Sequence, residues 1–206
     1  VYETVMSLFE NDAFALNDPI SRLIPEFADP LVVTETPPQD RVRGAFPPQN
    51  VEPARREIMI FDLMTMTSGL PGWGRLPAAY APQLAKATEG TGFGPGDRRV
   101  NAPPRSYEEM ILGLADLPLH AHPGDSWNYG SDFDVLSIFL TRLTGKNLDE
   151  LFRERGFDPL GMNDSGLYCD DANVGRLVTD HTWSTDGELI VRDRPETAEK
   201  VQSRSK

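Results

Sequence analysis

Hydrophobic positions at the start of the chain keep a helical beat. Val1, Val5, Leu8 and Phe9 recur at i, i+4, i+7 and i+8, which places them on one face of a helix running to about Asn11. Asp18-Pro19 reads as an N-cap followed by proline at the first helical position, opening a short helix through Leu23. Prolines 30, 37, 38, 47, 48 and 53 then predict loop with little regular structure over residues 28–56. Ile58 to Met66 is apolar and predicts a short helix, ended by the stop signal Thr67-Ser68-Gly69-Leu70-Pro71. Residues 72–105 form a second long Gly/Pro-rich loop, of a length that is uncommon unless the loop acts in binding or is disordered.

Beyond that loop the helix starts are written with the same signal. Ser106 with Glu109 is a capping box leading Met110, Ile111 and Leu114 onto one face. Ser131 with Asp134 is a second, leading Leu136, Phe139, Leu140 and Leu143, with Gly145 near the C-cap. Asn147 with Glu150 resembles a third, leading Leu151 and Phe152. Between Thr182 and Arg192 the alternation around Asp186-Gly187 reads as a hairpin.

Composition narrows the class. The chain has 206 residues, enough for one domain or one and a half, and 39% of them are hydrophobic, enough for a core. The formal net charge of −12, without a basic stripe, argues against nucleic acid as a partner. No apolar run approaches the roughly 18 residues of a membrane helix. Cys169 is the single cysteine, so no internal disulfide forms, and no Cys/His set has zinc spacing. Because Val1 already stands inside an amphipathic pattern, the chain is expected to begin within a helix of a longer protein.

Candidate chemistry is sparse. His120 and His122 form a His-x-His, but no third ligand has suitable spacing, and loop histidines are the better reading; no metal and no cofactor is expected. Gly90, Gly92, Gly94 and Gly96 miss the Gly-x-Gly-x-x-Gly spacing and follow no strand, so they read as a flap rather than a phosphate loop. No Gly-x-Ser-x-Gly elbow exists. Trp73 and Trp127 either line an acyl pocket or anchor loops. Tyr129 stands at the mouth of a helix, where its hydroxyl can face a cleft. A phenol ionises near 10, so acting as a base near neutral pH requires a facing cation. No lysine lies near Tyr129 in sequence. Ser131 is first a helix N-cap and second a substrate contact, and Asp132 and Asp134 favour the positive helix end.

The segment Pro123-Gly124-Asp125-Ser126-Trp127-Asn128-Tyr129-Gly130-Ser131-Asp132-Phe133-Asp134-Val135-Leu136 resembles the β-lactamase-related serine hydrolases, which include Tyr-x-Asn β-lactamases, D-alanyl-D-alanine carboxypeptidases and family VIII carboxylesterases. Leu16-Asn17-Asp18-Pro19-Ile20, Leu23-Ile24-Pro25-Glu26-Phe27, Leu63-Met64-Thr65-Met66-Thr67-Ser68-Gly69-Leu70-Pro71 and Pro159-Leu160-Gly161-Met162 resemble further blocks of that family, in its order. The resemblance implies an α/β parent fold of the β-lactamase/transpeptidase type, to which residues 1–206 contribute one partial domain, mainly helical, with long Gly/Pro-rich loops and a C-terminal hairpin. It implies that Tyr129 is the catalytic tyrosine and that Ser131, where β-lactamases of this type carry asparagine, is substrate-binding. It also implies a Ser-x-x-Lys nucleophile motif that should precede Val1; Ser203-Arg204-Ser205-Lys206 fits that pattern on a charged terminus with no helix following. The expected activity is that of a carboxylesterase or transesterase on small esters through an acyl-serine intermediate, the chain by itself being inactive. Two alternatives stand beside it: a β-lactamase or D-alanyl-D-alanine peptidase acting on an amide, and a non-catalytic scaffold or binding module.

Overall fold

The computed structural model describes residues 1–34, 51–71, 106–169 and 171–193. The first apolar stripe forms helix α1 (Tyr2–Phe9), which buries Val5 and Leu8. The Asp18-Pro19 signal is realised differently from expectation. Pro19, not Asp18, is the cap residue, and the helix is one 3-10 turn, Ile20–Arg22. The Asp18 carboxylate is already engaged, accepting from Ala15 N at 2.9 Å and pairing with Arg22 at 2.7 Å. Ile20 N donates to the distant Ile58 carbonyl, and the turn stops because Pro25 has no N–H to donate and holds Ile24 out of helical dihedrals, at φ −126° and ψ 72°.

Residues 28–56 are not all loop. Strand β1 (Leu31–Val33) pairs antiparallel with β2 (Val51–Pro53), in the register Leu31↔Pro53, Val32↔Glu52 and Val33↔Val51. Leu119 extends this ladder on its other edge, donating to Leu31 O at 2.7 Å and accepting from Val33 N at 3.0 Å. Prolines hide such short strands from a local reading, because the pairing partners are far apart in sequence.

The apolar run after Ile58 forms helix α2 (Ile60–Thr65), burying Ile60, Leu63 and Met64. It stops at Met66, which takes a left-handed φ of +55°. The boxes at Ser106/Glu109 and Asn147/Glu150 cap α3 (Tyr107–Leu112) and α5 (Leu148–Phe152) with both reciprocal bonds in place. Between them runs α4 (Asp132–Thr144), which ends at Gly145 in the left-handed region and buries Val135, Leu136, Ile138, Phe139 and Leu140. This helix is the centre of the core. α2, α3 and α5 pack on it, and Phe139 meets Phe14 edge-on at 5.5 Å. The hairpin is present as β3 (Asp180–Trp183) and β4 (Leu189–Asp193), with Thr182 opposite Ile190. Its Trp183, Leu189, Ile190 and Val191 remain exposed. The glycine run at 90–96, Trp73 and the terminal Ser203-Arg204-Ser205-Lys206 lie outside the described residues.

Gly69 joins α2 to the rest of the molecule. Its φ is +81°, and a Cβ there would collide with the Ala121 carbonyl oxygen. Gly69→Ala should therefore lose about 2–4 kcal/mol, from a strained φ together with an overpacked contact. A urea unfolding midpoint equal to wild type would show that the 66–71 turn can relax away from Ala121.

Candidate active site

Tyr129 sits on a non-helical segment that follows the turn at Pro123 and Gly124 and ends where α4 begins, three residues later. Such a segment must satisfy its backbone polar groups elsewhere, and it does so on the 66–71 turn. Asn128 N donates to Met66 O at 2.9 Å, Gly124 N to Thr67 O at 2.8 Å, and His120 N to Gly69 O at 2.8 Å. Asn128 Nδ2 donates to Leu70 O at 2.9 Å. Ser131 N and Ser131 Oγ both donate to Pro71 O, at 3.1 and 2.6 Å. Tyr129 is thus flanked on both sides by pinned residues, while its own side chain stays 65% exposed. Trp127 is exposed beside it in sequence.

The Ser131/Asp134 capping box is corrected. Ser131 does precede α4, but at φ −85° and ψ 19° it lacks the extended geometry of a capping residue, and its side chain makes no cap bond. The hydroxyl goes to Pro71 instead, and the residue is 0% exposed. Ser131, the candidate substrate contact, is in this structure a buried hydroxyl bonded to Pro71 O. Asp134 accepts from Tyr107 Oη at 2.5 Å. Burial, with the Asp134 carboxylate behind it, pushes the Tyr107 phenol well above its ordinary range.

A second layer braces the turn at 122–125. Arg56 forks onto Asp62 at 2.5 and 2.8 Å, and the same carboxylate accepts from Met59 N at 2.8 Å. The Arg56 guanidinium lies against Gly124. Arg55 pairs with Asp125 at 3.0 Å. His122 is buried, with Nε2 3.0 Å from Glu52 and Nδ1 accepting from Arg55 N. Burial holds the His120 imidazole below its ordinary value. The His122 side chain ties the loop to Glu52 and Arg55, and among the described residues no group of three His, Cys, Asp or Glu could hold a metal.

Asp132 was legible in the sequence only as a helix-dipole residue. In the structure it is 1% exposed and accepts from Ser68 Oγ at 2.6 Å. Nothing in the local pattern marks this, since Ser68 lies in a different block of sequence. An apolar groove of about 320 Å³, lined by Phe27, Leu31, Val51, Leu117 and Leu119, uses Leu70 as a wall, but Tyr129 does not line it.

The beta-lactamase family model matches residues 3–200, and the chain belongs to that family; its fold is the α/β fold of the superfamily. Protein Rv1367c of Mycobacterium tuberculosis is 33% identical over 174 residues, covering 84% of this chain and 38% of that protein. Lovastatin esterase of Penicillium rubens is 30% identical over 170 residues, covering 77% of this chain and 35% of the esterase. Among solved structures, EstCE1, a hydrolase with promiscuous acyltransferase activity, matches with a TM-score of 0.67 at 25% identity, over 93% of this chain and 42% of its own. The chain therefore spans about two fifths of the length of the relatives it matches.

Burial raises the Asp132 carboxyl to about 6; the Ser68 hydroxyl and backbone amides oppose that rise and Asp62 adds to it. An unfolded Asp ionises near 3.9. The folded state thus holds this proton more tightly than the unfolded state does. The contribution of Asp132 to stability is greatest below the unfolded value and is lost as pH rises through about 6. Asp132→Asn removes this titration. Relative to the variant, the wild type should lose on the order of 2–3 kcal/mol between about pH 4 and pH 7. Urea unfolding across that range measures the difference, and a gap that stays constant would mean the carboxyl is not desolvated.

Proposed function

We propose that Tyr129 is the proton-handling residue of a serine hydrolase that cleaves small carboxylic esters through an acyl-serine intermediate. The observation that carries this reading is the exposed phenol on a backbone pinned at Asn128 and Ser131, directly ahead of α4. A residue that must take and return a proton needs one position relative to the reacting atoms, on a support that does not move. The similarity to lovastatin esterase supports an ester substrate, and that to EstCE1, a hydrolase with promiscuous acyltransferase activity, supports transfer of an acyl group. Ser131, which stands where the lactam-cleaving members carry asparagine, also supports an ester substrate.

In this proposal the nucleophile belongs to a Ser-x-x-Lys segment of the full-length protein, outside residues 1–206, so that these residues alone are inactive. The serine hydroxyl attacks the ester carbonyl as its proton passes to the lysine–Tyr129 pair. Collapse of the tetrahedral intermediate expels the alcohol, which takes the proton from Tyr129. Water, or a second alcohol, then releases the acyl group from serine. The chemistry of the residues needs no metal and no cofactor.

In the full-length protein, Tyr129→Phe should lower turnover of a short-chain nitrophenyl ester by about 10²–10⁴-fold, the range for a lost acid–base group. Turnover near the wild-type rate would sink the assignment. The wild-type protein should cleave that ester in preference to a chromogenic cephalosporin. The reverse preference would replace the esterase with a β-lactamase on the same tyrosine. Failure of a fluorophosphonate probe to label the full-length protein would leave only a binding module.

A further inference from the structure

Asp132 does more than a helix terminus requires. A carboxylate at the first position of a helix favours the positive dipole end even when it faces water. Asp132 instead turns inward and takes the Ser68 hydroxyl at 2.6 Å. Ser68 Oγ also accepts from Leu70 N at 3.0 Å, and Leu70 O accepts from Asn128 Nδ2 at 2.9 Å. The bonded path therefore leaves the chain just after Tyr129, crosses the 66–71 turn, and returns just before it. Gly130 lies inside that loop. A Cβ there would stand 2.6 Å from both Leu70 O and Asp132 Oδ2, so the carboxylate is also a wall against which the tyrosine's neighbour is pressed. Among the described residues this carboxyl is met by the Ser68 hydroxyl and by the backbone amides of residues 68 and 132 rather than by a cation, and burial pushes its pKa up. An apolar pair of the same shape would hold the helix at lower cost.

We propose that the Ser68–Asp132 hydrogen bond positions Tyr129, holding residues 128–131 on the 66–71 turn so that the phenol has one orientation. The proposal rests on the reading of Tyr129 as the proton-handling group. Asp132 and Ser68 touch no substrate and act as positioning residues.

The test is a mutant cycle in the full-length protein, assayed on p-nitrophenyl butyrate, with circular dichroism and urea midpoints reporting the fold. Asp132→Ala and Ser68→Ala should each lower kcat by about 10–100-fold, as expected for a misplaced group, and leave KM within about threefold. Asp132→Asn keeps an acceptor for Ser68 and should return kcat to within about threefold of wild type. In a Tyr129→Phe background, Asp132→Ala should add less than about twofold, because the residue it positions is gone. The proposal is overturned if Asp132→Ala costs the same factor with and without the Tyr129 hydroxyl. It is equally overturned if Asp132→Ala and Ser68→Ala leave kcat unchanged while Tyr129→Phe abolishes turnover, or if Asp132→Asn fails to rescue. Should Asp132→Ala not fold, the cycle run with Ser68→Ala is judged by the same criteria. Full turnover in Tyr129→Phe would instead overturn the tyrosine assignment itself, and this proposal with it.

Discussion

The hydrogen-bonded seam between residues 66–71 and 120–132 is the constraint on which the candidate site depends. A turn and a loop, neither of them helix or strand, lie against each other with their backbone groups matched. Met66, Thr67, Gly69, Leu70 and Pro71 each offer a carbonyl, and each finds a donor on the facing segment. Irregular backbone can be buried only on that condition, because an orphaned amide or carbonyl costs as much as a lost hydrogen bond. The seam also explains the unusual residues along it. Met66 accepts a left-handed φ, and Gly69 is the residue that fits beside Ala121.

The core supports the seam from below. Helix α4 carries its apolar face into the contacts with α2, α3 and α5, and its first residue is Asp132. Helix α2 runs directly into the 66–71 turn. The two sides of the seam are therefore the end of one core helix and the start of another, and the packing of those helices sets their separation. Two buried carboxylates refine it in different ways. Asp62 is matched by the fork of Arg56 and by a backbone amide, so its charge is accounted for. Asp132 has no such fork: it takes the Ser68 hydroxyl and the backbone amides of residues 68 and 132, and burial raises its pKa all the same. Proteins tolerate such a cost where a position has to be held, and it falls here beside Tyr129.

Local signals were legible and long-range ones were not. The boxes at Ser106/Glu109 and Asn147/Glu150 were read correctly because both partners lie within one turn of helix. The stripe of α1 and the apolar face of α4 were legible for the same reason. The box at Ser131/Asp134 has the same letters and fails, because the chain enters α4 from the seam at dihedrals that point the hydroxyl toward Pro71. Strands β1 and β2 were missed because their ladder joins Leu31 to Pro53 and to Leu119, a pairing that no window of sequence contains. His122 read as a loop histidine without a partner in view, and Glu52 supplies one from β2.

The sequence by itself determined the helical faces, two of the caps, the hairpin at Asp186-Gly187 and the ordered family blocks around Tyr129. Each of these is written within a few residues, where dihedral preference and periodicity act. Only the tertiary structure decided that Tyr129 is held by pinned neighbours, that Ser131 turns inward, and that Asp132 meets Ser68. Those outcomes depend on which buried polar groups face each other once the helices have packed. That choice is made by the whole core and is carried by no single segment.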